Sequence, residues 1–75
     1  MNWDQELDAR GLLCPLPVLK ARKRLKGMAP GDVLRISATD PAAVIDIPHF
    51  CTESGHALVA TDIDGETQIY LIRRS

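Results

Sequence analysis

The stretch PLPVLKARKRLKGMAPGDVLRISA, residues 15–38, decides the fold because it contains a helix, a stop and a strand in immediate succession. Apolar side chains recur three or four positions apart over residues 15–28, which predicts an amphipathic helix. The buried stripe of this helix consists of Val18, Ala21, Leu25 and Met28. Pro30-Gly31-Asp32 ends the helix, and the alternating pattern of residues 33–38 predicts a strand.

Strands are also predicted at both ends of the chain. Residues 5–9, centred on Leu7, fit a short strand that precedes the first helix. Residues 58–63 and 67–73 fit two further strands, and they flank Asp64-Gly65. Because this dipeptide readily adopts the positive φ angles of a tight turn, the last two strands should form a hairpin.

A second helix is predicted between the second and third strands. Asp40 suits the N-cap, Pro41 suits the first helical position, and Gly55 suits the end. Pro48 falls inside this segment, where it removes a backbone donor and crowds the preceding turn. We therefore expect a break or kink near Ile47, with a short second segment after it.

The order β-α-β-α-β-β predicts an α/β fold, a two-layer sandwich. Each crossover helix has one apolar face, so both helices can cover one face of a four-stranded mixed sheet. Residues 1–75 form a single domain, and a chain of this size buries only about 60% of its unfolded surface. A large enclosed substrate cavity is therefore excluded, and function should depend on surface contacts with partners.

Composition and charge exclude several classes of protein. The chain is 45% hydrophobic and 25% charged, with a net charge of −1, which argues against disorder and against general nucleic-acid affinity. Its acidic first residues do not resemble a signal peptide, and no apolar run approaches the roughly 18 residues of a membrane span. We expect a cytoplasmic location without membrane contact, where thiols stay reduced.

The run Cys14-Pro15-Leu16-Pro17 is the clearest chemical feature of the sequence. With Cys14 at the N-cap, both prolines fall in the first turn, where backbone N–H groups have no helical partner. A thiolate there would face the positive end of the helix dipole and accept from a free N–H such as that of Leu16, so we expect a lowered pKa. A lone cysteine is usually a small buried hydrophobe, but this proline pattern favours an exposed thiol.

A run of basic residues follows the cysteine on the first helix. Residues 20–26 contain five cations and no acid, and the simplest interpretation is a solvated face whose late cations complement the helix dipole. Helical spacing also places part of the run beside exposed leucines. We predict a docking surface for acidic partners formed by Leu13, Leu16, Leu19, Lys20, Arg22 and Lys23.

Other candidate residues have structural interpretations. Cys51 beside Phe50 fits core packing, and His49, Cys51 and His56 match no standard zinc spacing, so we expect no metal. With one Phe, one Tyr and one Trp there is no aromatic platform for stacking nucleic-acid bases.

Residues 7–18, LDARGLLCPLPV, resemble the signature of the TusA sulfur-carrier family. Further matches occur at Pro30-Gly31-Asp32, Asp40-Pro41-Ala42, residues 46–51 (DIPHFC), Gly55-His56 and residues 70–73 (YLIR). The likeness covers nearly the whole chain, and residues 46–51 favour TusA itself over its more divergent relatives. It implies that Cys14 carries sulfur as a persulfide, and that Asp8, Gly11, Pro15 and Pro17 shape the motif.

The resemblance also implies a role. Family members accept sulfur from the persulfide of a cysteine desulfurase and pass it to further sulfurtransferases, most familiarly for 2-thiouridine at the wobble position of transfer RNA. Sulfur oxidation and molybdenum-cofactor assembly are the alternative destinations. On this basis we expect a carrier that acts without a cofactor, as a monomer and without direct nucleic-acid binding.

Two functions from other classes remain open on the sequence. The basic helix could belong to a small RNA-binding or regulatory module, although the net charge and the missing aromatics disfavour it. Alternatively, Cys14 could be a redox-sensing thiol that Cys51 resolves.

Overall fold

One mixed sheet and two helices make up the protein in the computed structural model, which describes residues 2–75. Each predicted element is present. In chain order the elements are β1 (Gln5–Ala9), α1 (Leu16–Lys26), β2 (Val33–Ala38), α2 (Ala43–Ser54), β3 (Ala57–Asp64) and β4 (Thr67–Arg73). The helices contact each other as well as the sheet, so they lie together on one of its faces. The predicted two-layer α/β architecture is confirmed.

The strand order across the sheet is β1-β2-β4-β3. Strands β1 and β2 are parallel, with Leu7 opposite Ile36, and β4 runs antiparallel to both of its neighbours. Ile36 is in turn opposite Tyr70. Because side chains alternate along a strand, this register aligns the three residues on the face that the helices cover.

The core lies between this face and the two helices. From α1 it contains Ala21 and Leu25, and from α2 it contains Ile47, Phe50 and Cys51. Fully burying a leucine or isoleucine side chain stabilises a fold by about 1.5–3 kcal/mol, so these contacts hold the helices against the sheet. The predicted burial of the α1 stripe is confirmed for Ala21 and Leu25, and Val18 is half-buried at its margin. Met28 is buried as well, but it lies beyond the end of α1 at Lys26.

Helix α2 is continuous through Pro48, so the part of the prediction that expected a break near Ile47 and a separate second segment is wrong. Proline removes only its own N–H from the helical hydrogen bonds. Ile47 and Phe50 are both buried, and a break between them would expose apolar surface. The start also differs, since α2 begins at Ala43 and Asp40 instead accepts a hydrogen bond from the N–H of Ala42.

The hairpin turn forms where it was predicted. Strands β3 and β4 are joined at Gly65 and Glu66, and Gly65 has a φ of 63°, which a residue without a Cβ adopts at little cost. Within residues 2–75, neither helix has the length and hydrophobicity of a membrane span.

Candidate thiol site

Cys14 is an exposed free thiol on the loop between β1 and α1. Helix α1 begins at Leu16 and its N-cap is Pro15, so the prediction of Cys14 as the N-cap is wrong by one position. Pro17 is buried in the first turn. The loop therefore presents the Cys14 sulfur to solvent, while the buried Pro17 anchors the helix start to the core.

Two hydrogen bonds tie this loop to the segment that follows β2. The N–H of Gly11 donates to the hydroxyl of Thr39 at 2.9 Å, and the N–H of Cys14 donates to the carboxylate of Asp40 at 2.7 Å. Gly11 has a φ of 77°, in the region that favours glycine, so the chain can turn sharply there. Both ends of the loop are thus held in place.

Asp40 is itself positioned by strand β4. Its backbone carbonyl accepts a 2.9 Å hydrogen bond from the side chain of Gln68, whose own carbonyl accepts a hydrogen bond from the Tyr70 hydroxyl. Gln68 and Tyr70 are buried. The backbone position of Cys14 therefore depends on polar contacts that reach into the sheet.

Asp8 shapes the beginning of the same loop. Its carboxylate accepts hydrogen bonds from the backbone N–H and the guanidinium of Arg10, at 2.9–3.1 Å. These bonds and the positive charge lower the pKa of Asp8 to about 2. The turn from Asp8 to Arg10 leads the chain out of β1 to Gly11. Asp8 therefore contributes to the motif by shaping this turn.

The electrostatic environment of Cys14 is opposite to the one predicted from the helix dipole. The side chain of Asp46 is the largest influence that raises the pKa of Cys14, and desolvation and the negative charge of Asp40 act in the same direction. The N–H of Leu16, expected to be free, donates to the carbonyl of Leu13 at 2.9 Å. The expectation of a lowered pKa is therefore wrong, because two nearby carboxylates disfavour the thiolate.

The structure places the six predicted docking residues on different parts of the surface around α1. Leu13, Leu16 and Leu19 are all exposed, with Leu13 the most accessible at 67%. Lys20 and Lys23 line a groove beside β1. Arg22 lies on the other side of the helix, where its guanidinium is 5.6 Å from the centre of the Phe50 ring. Of the three predicted cations, Lys20 and Lys23 share one groove, which Arg24 also lines, and Arg22 is absent from it.

The remaining candidates are not part of a site. Cys51 is buried among core residues, and burial raises its pKa to about 11. The His49 imidazole lies 3.7 Å from the Glu53 carboxylate, and His56 accepts a hydrogen bond from the N–H of Ser75. Among residues 2–75 no three histidine, cysteine or acidic side chains form a cluster suited to a metal ion.

Thr39 and Asp46 were not predicted from the sequence to belong to the site, and Asp40 was predicted only to cap a helix. The contact between Thr39 and the loop after β1 could have been predicted from the parallel pairing of the strands. In a parallel strand pair the carboxyl ends lie at the same edge, and the register places Ala9 opposite Ala38. The loops that follow β1 and β2 are therefore neighbours, and polar residues in one can bind the backbone of the other.

Comparisons with known proteins agree with this fold. A family model described as "Sulfurtransferase TusA" matches residues 5–74. A solved structure, of the SirA-like protein from Desulfitobacterium hafniense, is similar with a TM-score of 0.81 and 21% sequence identity. The alignment covers 93% of this chain and 96% of that one. At this identity the structural likeness shows a shared fold.

Proposed function

This chain belongs to the sulfurtransferase TusA family, whose members carry sulfur, and from that premise we propose that Cys14 is the residue that bears the transferred sulfur atom. The observation that carries the proposal is an exposed free thiol whose backbone is held at 2.7 Å by Asp40. Exposure is required because one sulfur must be reached by two different proteins in turn.

The transfer is a thiol exchange that needs no external oxidant or reductant. The Cys14 thiolate attacks the outer sulfur of a donor cysteine persulfide, a bond forms between these two sulfurs, and the donor cysteine leaves as a thiolate. The proton lost from Cys14 returns to the departing thiolate, so the products are a donor thiol and a Cys14 persulfide. An acceptor cysteine then repeats the attack on the outer sulfur.

Four neighbouring residues shape the sulfur site in this proposal. Asp8 and Gly11 turn the chain after β1, and the hydrogen bonds of both residues support that role. Pro15 is the N-cap of α1 and Pro17 lies in its first turn, where backbone N–H groups have no helical partner, so the missing N–H of each proline costs no helical hydrogen bond. Together they limit the number of positions that the Cys14 sulfur can adopt.

The donor is a cysteine desulfurase in this proposal. Leu13, Leu16 and Leu19 offer exposed apolar contacts next to Cys14. Lys20, Lys23 and, from the other side of α1, Arg22 attract an acidic donor surface, so the association rate falls as salt is added.

The acceptor is a downstream sulfurtransferase relay, and the destination is 2-thiouridine at the wobble position of transfer RNA. The carrier acts in the cytoplasm as a monomer and does not bind the RNA itself. Deleting the gene should lower 2-thiouridine in total transfer RNA, measured by mass spectrometry of nucleosides. The wild-type gene should restore the level and Cys14→Ser should not; an unchanged level in the deletion strain would exclude this destination.

Sulfur loading tests the carrier itself. The protein is incubated with a cysteine desulfurase and cysteine, and its intact mass is measured before and after reductant. We expect one reductant-labile sulfur on the wild type and on Cys51→Ala, and none on Cys14→Ser. A sulfur that persists on Cys14→Ser, or the absence of any sulfur with an active desulfurase, would reject the proposal.

A further inference from the structure

An apolar surface is exposed between the beginning of α2 and the β3–β4 turn. Ile45 and Ile63 are 74% and 70% exposed, and Val44 beside them is also exposed. They line an open groove of about 570 Å³ whose floor includes Gln68. Large apolar side chains gathered in this way on a small domain mark an interaction surface, since they contribute nothing to the core.

A second groove, of about 450 Å³, adjoins the first and shares Val44, Ile63 and Gln68 with it. Val44 and Ile63 therefore lie between the two grooves and are accessible from both. We refer to Val44, Ile45, Ile63 and the adjoining acids Asp62 and Glu66 as the hairpin groove. Two adjoining open grooves suit an extended segment of a partner better than a single small molecule.

The hairpin groove is negatively charged. Glu66 lines the first groove and Asp62 the second, whereas no lysine or arginine among the described residues lines either. Neither acid forms an ion pair within residues 2–75. This charge is opposite to that of Lys20 and Lys23 on α1, so the two surfaces select partners of opposite sign.

The hairpin groove is connected to the thiol site through Asp40. Gln68, which lies in both grooves, donates to the backbone carbonyl of Asp40, and the carboxylate of Asp40 accepts from the N–H of Cys14. Thr39, which holds Gly11, also lines the first groove. A partner segment seated in the groove would thus end next to the loop that bears the sulfur.

We propose that the hairpin groove binds a segment of the protein that takes sulfur from Cys14, a segment in which apolar side chains alternate with lysine or arginine. This inference rests on the proposed carrier function. A carrier must meet a donor and an acceptor with one sulfur atom, and two surfaces of opposite charge let it distinguish them. Apolar contacts fill the groove, and the basic side chains neutralise Asp62 and Glu66.

A peptide titration tests the groove directly. The full chain, labelled with ¹⁵N, is titrated with a capped peptide of alternating leucine and lysine and, separately, with the matched leucine–glutamate peptide. We expect amide shifts at Val44, Ile45, Ile63 and Gly65 with the basic peptide only, and weaker binding at high salt. Shifts centred on α1, shifts of equal size with the acidic peptide, or no shifts would overturn the inference.

Charge-adding variants sharpen this test. Ile45→Lys and Glu66→Lys should each weaken binding of the basic peptide at least tenfold. Thr52→Lys adds the same charge as Ile45→Lys, on the exposed, distal part of α2, and should bind like the wild type. All three positions are exposed, so circular dichroism should be unchanged; equal weakening by Thr52→Lys would mean nonspecific attraction and would contradict the inference.

Two controls separate the remaining outcomes. Self-association in sedimentation that disappears in Ile45→Lys would mean that a second copy of this chain occupies the groove, which would overturn the inference. Sulfur loading of Ile45→Lys by the desulfurase should match the wild type. If Cys14 loads normally but the peptide does not bind the groove, the inference fails alone; if the wild type does not load, the proposed function fails.

Discussion

The carboxylate of Asp40 accepts a 2.7 Å hydrogen bond from the backbone N–H of Cys14, and this bond joins the thiol loop to the start of the second helix. The same carboxylate also accepts from the N–H of Ala42. Asp40 thereby holds the sulfur-bearing residue and, through its negative charge, raises the pKa of that residue's thiol. Asp40 thus fixes the backbone position of Cys14 and adds to the effect of Asp46, the main cause of the raised pKa of its thiol.

Replacing Asp40 by alanine should destabilise the protein. The Asp40→Ala variant leaves the N–H groups of Cys14 and Ala42 without their acceptor, and we expect a loss of about 1–3 kcal/mol in the free energy of unfolding. Urea denaturation measures this loss. Asp62→Ala is the matched control, since the Asp62 carboxylate accepts only from the adjacent N–H of Ile63, and its effect should stay within about 0.5 kcal/mol.

Replacing Asp46 by asparagine should make Cys14 more acidic. The Asp46 carboxylate is the main cause of the raised pKa of Cys14, and an uncharged amide no longer opposes the thiolate. We expect the midpoint of the pH dependence of Cys14 alkylation by iodoacetamide to move to lower pH. Glu53→Gln, on the same helix, should leave the midpoint in place; an unshifted midpoint in Asp46→Asn would contradict the electrostatic explanation.

Reversing the basic pair on α1 should slow the acceptance of sulfur. Lys20 and Lys23 line one groove beside β1, so the double change to glutamate repels an acidic donor. We expect at least a tenfold lower loading rate at low salt, measured by intact mass over time, and a smaller difference at high salt. Arg73→Glu, an exposed reversal on β4, serves as the control. If the double variant loaded sulfur as fast as Arg73→Glu, the proposed docking role of Lys20 and Lys23 would be rejected.

Asp8 should contribute to stability only while it is ionised. Its folded pKa of about 2 lies below the ordinary value of 3.8, so the contribution is complete above pH 3.8 and is lost as the pH falls towards 2. Asp8→Asn should therefore flatten the acid limb of the stability curve in this interval. Urea midpoints measured across these pH values test it, and parallel curves for wild type and variant would count against the Asp8–Arg10 pairing.

Cys51 should be unreactive as long as the protein is folded. Burial raises its pKa from 9.0 to about 11, so stability from the neutral thiol is present below pH 9.0 and is lost as the pH rises towards 11. At neutral pH a thiol reagent such as dithionitrobenzoate should modify Cys14 alone in the native protein and both cysteines in denaturant. Modification of both cysteines at equal rates in the native state would support the alternative in which Cys51 resolves an oxidised Cys14.

Local patterns in the sequence were sufficient for the elements of the fold. The helical spacing of Ala21 and Leu25, the alternation in Val33–Ala38 and the turn at Gly65 each depend on near neighbours in the chain, and each is present in the structure. Pro48 is the exception. A proline disfavours a helix locally, but burial of Ile47 and Phe50 on either side of it outweighs that cost.

The sequence by itself determined the order of strands and helices, the family, and the place of Cys14 just before the first helix, because motifs and periodicity are local. The charge around the thiol was decided only by the tertiary structure. Asp40 and Asp46 lie 26 and 32 positions from Cys14 in the chain. They reach it because parallel pairing of β1 with β2 brings the loop after β1 to the same edge as the loop after β2 and the first turn of α2. Electrostatic interactions depend on distance in space, so a local pattern predicted a more acidic thiol than the folded protein has.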